Sequence, residues 1–167
     1  LGTKVTVIEG MDDVLAMMDK EIRRPLEIWL KKHGVKIYRN ALARGAERIE
    51  SGNGGKITLR YDMDGENHSI DVDKILVTVG RKANLSGWGL EETGVRLGPD
   101  GRFIRTDRKC RTNIPGVYAI GDVAGEPMLA HKASAEGEMV AEIISGLERE
   151  FDNVATPAIV FTEPEIV

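Results

Sequence analysis

Cysteine is nearly absent: a single thiol, Cys110, occurs in 167 residues. One cysteine excludes an intramolecular disulfide, and with it a redox centre built from two thiols of this chain. It fits a reducing compartment, and a cytoplasmic location is expected. Aromatics are scarce, with two Trp, three Tyr and three Phe. An excess of positive charge is missing as well, since 23 Lys and Arg stand against 27 Asp and Glu, for a net charge of −4. That balance excludes the basic stripe of a nucleic-acid surface. No apolar run reaches the length of a membrane span, and no basic and apolar leader pattern occurs, so neither a membrane nor a secretory route is expected. No metal site is expected and no residue is assigned a catalytic role. A G-x-G-x-x-G loop is also lacking; Gly52-Asn53-Gly54-Gly55 has the wrong spacing.

What is present centres on the stretch from Thr112 to Ala133, TNIPGVYAIGDVAGEPMLAHKA. Pro115-Gly116 marks a loop, and Val117-Tyr118-Ala119-Ile120 reads as a buried strand. The strand stops at Gly121-Asp122. A helix is expected from about Met128, with Ala133, Met139, Val140, Ile143 and Ile144 as its apolar stripe and Gly146 at its end. A carboxylate at a strand end and a helix N-terminus then face one space. The acid can accept from a polyol, and the free amides can bind a carbonyl or an anion.

The run YAIGD followed by PMLAHKA resembles the second FAD-binding segment of the pyridine nucleotide–disulfide oxidoreductases. Its MLAHKA spelling is more similar to the dihydrolipoamide dehydrogenase branch than to glutathione or mercuric reductases. The resemblance implies that Asp122 binds the ribityl chain of FAD, and that Met128, Leu129, Ala130 and His131 lie along the isoalloxazine ring. A helix N-terminus aimed at that ring would favour the negative charge of the reduced flavin.

The rest of the chain fits an α/β reading. Residues 4–9, KVTVIE, form a β-branched strand ending in Glu9, where a Rossmann unit places the acid for the adenosine ribose. Asp12 and Asp13 follow and would repel a 2′-phosphate, which favours NAD over NADP. Residues 11–18 read as a loop. Asp19 is the expected N-cap of a helix that ends at Gly34. Pro25 lies inside that pattern, so the helix either kinks there or restarts with Arg24 as cap. His33 in the last turn is read as bland. Residues 35–38 form the next strand. Three antiparallel strands follow at about 42–50, 56–63 and 69–72, turning at residues 52–55 and at Asp64-Gly65. His68 beside the second turn is read as solvated.

Residues 75–79 form a fully apolar strand, expected to be central and parallel. It ends in Gly80, which permits close backbone approach by a ligand. The family resemblance implies nucleotide contacts at Gly80 and at the backbone of Ala43, with Arg81 ranked below them. Residues 82–94 read as linker and short helix, and 95–97 and 102–105 as short strands. Gly137 weakens the last helix unless a backbone packs closely against it. Cys110 reads as structural. Residues 158–162 form a strand leading into Glu163-Pro164-Glu165.

The expected architecture is a Rossmann-like three-layer NAD domain with an inserted antiparallel β-meander, plus a partial FAD-domain lobe. Residues 1–83 would be the NAD-binding domain without its first strand and glycine loop. Residues 84–150 would be the crossover and C-terminal FAD segment, and 151–167 the start of a dimerisation domain. The resemblance implies a parent flavoenzyme that oxidises dihydrolipoamide with FAD and NAD. That parent would be a homodimer serving the lipoyl domain of a 2-oxoacid dehydrogenase complex. The chain reads as a fragment truncated at both ends, inactive and cofactor-free alone. A glutathione-reductase-like flavoprotein and a non-catalytic assembly module are the alternatives.

Overall fold

The computed structural model describes residues 2–49 and 55–167. The expected turn at residues 52–55 therefore lies largely outside the described residues. The chain divides into two compact units, one comprising Leu1–Thr78 with Ile159–Val167 and the other Val79–Ala158.

The first unit opens with a β-α-β element. Strand β1 (Thr6–Ile8) pairs in parallel with β2 (Lys36–Tyr38), Val7 opposite Ile37. Helix α1 (Lys20–Lys32) makes the crossover that parallel pairing requires. Its N-cap is Asp19, whose carboxylate accepts from the Glu21 amide at 2.8 Å. Gly34 adopts φ +73°, and the Gly34 and Val35 amides close onto the carbonyls of Lys31 and Leu30 in a Schellman motif. The helix runs unbroken through Pro25, so it forgoes one i→i−4 hydrogen bond rather than restarting. His33 stacks on Trp29 at 3.9 Å.

A meander follows. Strands β3 (Ala41–Ile49), β4 (Lys56–Met63) and β5 (Glu66–Val72) form an antiparallel sheet in that order. Asp64 and Gly65 both take positive φ, as a two-residue hairpin turn requires. The tight turn lets β5 begin at Glu66, three residues before the expected start. That places His68 opposite Tyr61. The His68 ring stacks on Tyr61 at 5.4 Å, and Tyr61 stacks on Tyr38 at 5.7 Å. His68 is thus half-buried against a cross-strand aromatic, and the expectation of a solvated side chain is corrected. The register shifts between Ala43 and Gly45, leaving Arg44 as a bulge.

The second unit has two apolar centres. Leu90, Ile104 and Ala119 pack with Leu85, Val95, Val123 and Ala124. Cys110, Met139 and Val140 pack with Tyr118, Ile143 and Phe151. Helix α2 (Ala130–Ile144) supplies Met139 and Val140, while Ile144, expected on its apolar stripe, is 67% exposed. Gly137 faces the Ile120 side chain rather than a backbone; an added Cβ would meet Ile120 Cδ1 at 3.4 Å.

Five expected strands are not formed as strands. Residues 75–79 form no regular element and have no ladder partners among the described residues, and Leu76, Val77 and Val79 are 86%, 72% and 91% exposed. Residues 117–120 make a single bridge, Tyr118 to Arg111, and 95–97 with 102–105 make one between Leu97 and Ile104. Residues 158–162 make only the bridge from Val160 to Ile166. The reason is common to all of them. An apolar run becomes a buried strand only when neighbouring strands satisfy its amides and carbonyls.

Candidate functional site

Asp122 sits where the 117–120 run turns. Thr112 and Val117, and Cys110 and Ala119, are hydrogen-bonded across the preceding loop, which fixes the approach of the chain. Gly121 then takes φ +69°, and a Cβ there would lie 3.0 Å from Ala133 Cβ. The glycine serves close packing against α2, in addition to any room it leaves for a ligand. A single 3-10 turn, Gly121–Val123, presents Asp122. Its side chain is 41% exposed, and its Oδ2 lies 3.2 Å from Arg81 Nη1. Arg81 Nη2 also donates to the Met128 carbonyl. Arg81 therefore ties the Asp122 turn to the entrance of α2.

The N-terminus of α2 has Leu129 as its N-cap residue, with no side-chain cap. Its first amides are thus left for another acceptor. Met128 and Leu129 are half-buried, and Ala130 and His131 are exposed. The His131 ring reaches the Pro157 carbonyl through Nε2 at 2.8 Å. The structure thus brings Asp122 and the 128–131 segment together through Arg81.

Two side chains that the sequence reading passed over anchor this arrangement. Lys132 and Glu136 are 6% and 5% exposed and pair at 3.0 Å. Glu136 Oε2 accepts from the Gly121 amide at 2.6 Å, and Lys132 Nζ donates to the Gly125 carbonyl at 3.2 Å. Their i,i+4 spacing was visible in the sequence; their burial was not. Beside them lies a cavity of about 410 Å³ lined by Cys110, Gly125, Lys132, Glu136 and Phe151 among others. Burial, with the Glu136 carboxylate adding to it, pushes the Cys110 thiol up to about 11. Such a thiol is protonated and unreactive at neutral pH. Among the described residues no group of His, Cys, Asp and Glu could hold a metal ion.

In the other unit, Glu9 follows β1. Its amide donates to Tyr38 O and its carbonyl accepts from the Ala41 amide. Its Oε1 accepts from the Met11 amide at 2.8 Å, which orients the carboxylate and leaves Oε2 to a ligand. Ala43 is exposed on β3 opposite Tyr61. Asp13 is not a free charge: Arg39 Nε lies 2.7 Å from it and Arg23 Nη1 3.1 Å. The hydrogen bond from Arg39, chiefly, holds its carboxyl below the usual range. The expected repulsion of a 2′-phosphate would thus rest on Glu9 and Asp12. Gly80, in the second unit, is exposed with φ +107° and has open space at its Cβ position.

The donor set suits the groups the motifs imply. A carboxylate with one oxygen on Arg81 has the other to accept from a hydroxyl, and uncapped helix amides suit a carbonyl. Comparison with known proteins points the same way. Residues 1–137 match the pyridine nucleotide-disulphide oxidoreductase family. Dihydrolipoyl dehydrogenase of Geobacillus stearothermophilus is 45% identical over 98% of this chain and 34% of its own length. The Pseudomonas aeruginosa protein of the same name is 44% identical over 100% and 34%. LpdA from Mycobacterium tuberculosis superposes with a TM-score of 0.77 at 33% identity, over 98% of this chain and 34% of that one. The flavoprotein disulfide reductase RclA from Escherichia coli reaches 0.84 at 23% identity over 98% and 36%, a likeness of fold alone. The chain spans about a third of the length of the relatives it matches.

Proposed function

The chain belongs to the pyridine nucleotide-disulphide oxidoreductase family, and from that premise we propose that it supplies the nucleotide-holding part of an FAD-dependent dihydrolipoyl dehydrogenase. Residues 1–83 bind NAD, 84–150 hold the flavin, and 151–167 lead into a dimerisation domain. The observation that carries the reading is Asp122 on its 3-10 turn beside the uncapped N-terminus of α2, linked to it by Arg81. A flavin bound there supplies two-electron transfer between a dithiol and a nicotinamide. This chain's residues hold and orient. Asp122 accepts from the ribityl hydroxyls, the first amides of α2 face the ring, and residues 128–131 line it. Glu9 accepts from the adenosine ribose, with Ala43 offering backbone to the nucleotide. The substrate is dihydrolipoamide carried on a lipoyl domain of a 2-oxoacid dehydrogenase complex. The assembled enzyme is a cytoplasmic homodimer.

The test compares two polypeptides. A complete polypeptide carrying residues 1–167 should oxidise dihydrolipoamide with NAD and carry about one FAD. Residues 1–167 alone should be colourless and inactive, because their one cysteine provides no disulfide for electrons to cross. Reduction of glutathione disulfide with NADPH by the complete polypeptide, without dihydrolipoamide oxidation, would favour the glutathione-reductase-like alternative.

A further inference from the structure

We propose that Glu136 is a positioning residue for the flavin site, acting on Asp122 through the Gly121 amide with Lys132 as its counter-ion. The inference rests on the reading of Asp122 as a ribityl ligand and deepens it.

A buried ion pair is weak evidence for stability, because desolvation offsets much of its attraction. Glu136 and Lys132 are nonetheless almost fully buried on the inner face of α2. What they hold is specific. One oxygen of Glu136 takes the Gly121 amide at 2.6 Å and the other faces Lys132 at 3.0 Å. Lys132 in turn donates to Gly125 O. The start of the turn that contains Asp122 and the loop just after it are therefore bound to one helix, whose N-terminus is the other half of the proposed site. Gly121 is in the left-handed region, which its missing side chain leaves free to rearrange. Without an acceptor, its buried amide would rotate in search of one. Asp122 is the next residue, so the direction of its carboxylate follows the Gly121 peptide. The family pattern read from sequence names Asp122 and the 128–131 segment but gives Lys132 and Glu136 no role; geometry gives them one.

The experiment uses the complete polypeptide that carries this segment, stripped of flavin. FAD affinity is measured by flavin fluorescence quenching, and the thermal midpoint of the apoprotein is measured in parallel. Glu136→Ala should raise the FAD Kd by about tenfold or more, as should Asp122→Ala. The double variant Lys132→Met with Glu136→Gln keeps an amide oxygen for Gly121 and leaves no unpaired buried charge. It should bind FAD within about threefold of the wild type. If Asp122→Ala loses FAD and Glu136→Ala does not, this inference is overturned and the flavin reading stands. A double variant as weak as Glu136→Ala also overturns it. If Asp122→Ala binds FAD normally, the flavin reading falls and this inference with it. Should Glu136→Ala fail to fold, the double variant decides. Binding within about threefold supports the proposal, and a loss of about tenfold overturns it.

Discussion

Arg81 and Asp122 form an ion pair at 3.2 Å, and the same guanidinium holds the Met128 carbonyl at the entrance to α2. An arginine and a turn carboxylate, far apart in sequence, thereby define the mouth of the proposed flavin site. Both side chains are well exposed, at 63% and 41%. An ion pair in that setting contributes about 0–1 kcal/mol. Arg81→Met should therefore change unfolding free energy by no more than about 1 kcal/mol in urea titration. A larger loss would mean that Arg81 carries structure rather than the geometry of the mouth.

Gly121 is the tightest backbone position on the Asp122 turn. Ala at this position meets Ala133 at 3.0 Å and must hold φ near +69°. Gly121→Ala should destabilise by about 1–3 kcal/mol. The thermal midpoint reads this directly, and an unchanged midpoint would show that the turn can shift away from α2.

Cys110 supplies a pH signature. Its thiol is pushed up to about 11 in the folded protein, above the ordinary value of about 8.5. The folded state thus holds this proton more tightly than the unfolded chain. The associated stability is present below the unfolded value and is lost as pH rises toward about 11. Iodoacetamide at pH 8 should label the native protein far more slowly than the urea-unfolded chain. Equal rates would contradict the burial.

Glu9 makes a separable prediction in a complete polypeptide carrying this chain. Its carboxylate is held by the Met11 amide, and hydrogen bonds to a charged acceptor contribute about 1.5–3 kcal/mol. Glu9→Ala should raise the KM for NADH by about tenfold or more and leave flavin content unchanged. If NADH kinetics are untouched, Glu9 only ends a strand.

Local signals in the sequence were reliable where local physics decides. Asp19 and Gly34 bracket α1, Asp64-Gly65 turns the meander, and Gly121-Asp122 stops its apolar run, all within a residue or two of the reading. Pro25 was resolved only by the fold, in which α1 runs through it despite the missing hydrogen bond. Strands read from apolar runs alone, such as residues 75–79, fared worse. A run records the capacity to be buried and says nothing of the neighbours that would bury it. Arg81 was ranked low because its partners lie far along the chain, and no local pattern announces such a contact. Lys132 and Glu136 were passed over, because i,i+4 spacing alone does not distinguish a buried pair from a solvated one. Their role depends on the Gly121 turn folding back over α2, which spacing does not encode.

The most direct test of the account is the flavin content of Asp122→Ala in the complete polypeptide. Removing the carboxylate would leave a ribityl hydroxyl without its acceptor, at a cost of about 1–3 kcal/mol. The account predicts that the purified variant loses its flavin absorbance on dialysis, while the wild type keeps about one equivalent. A variant that stays yellow through the same dialysis, with an unchanged FAD Kd, would contradict it.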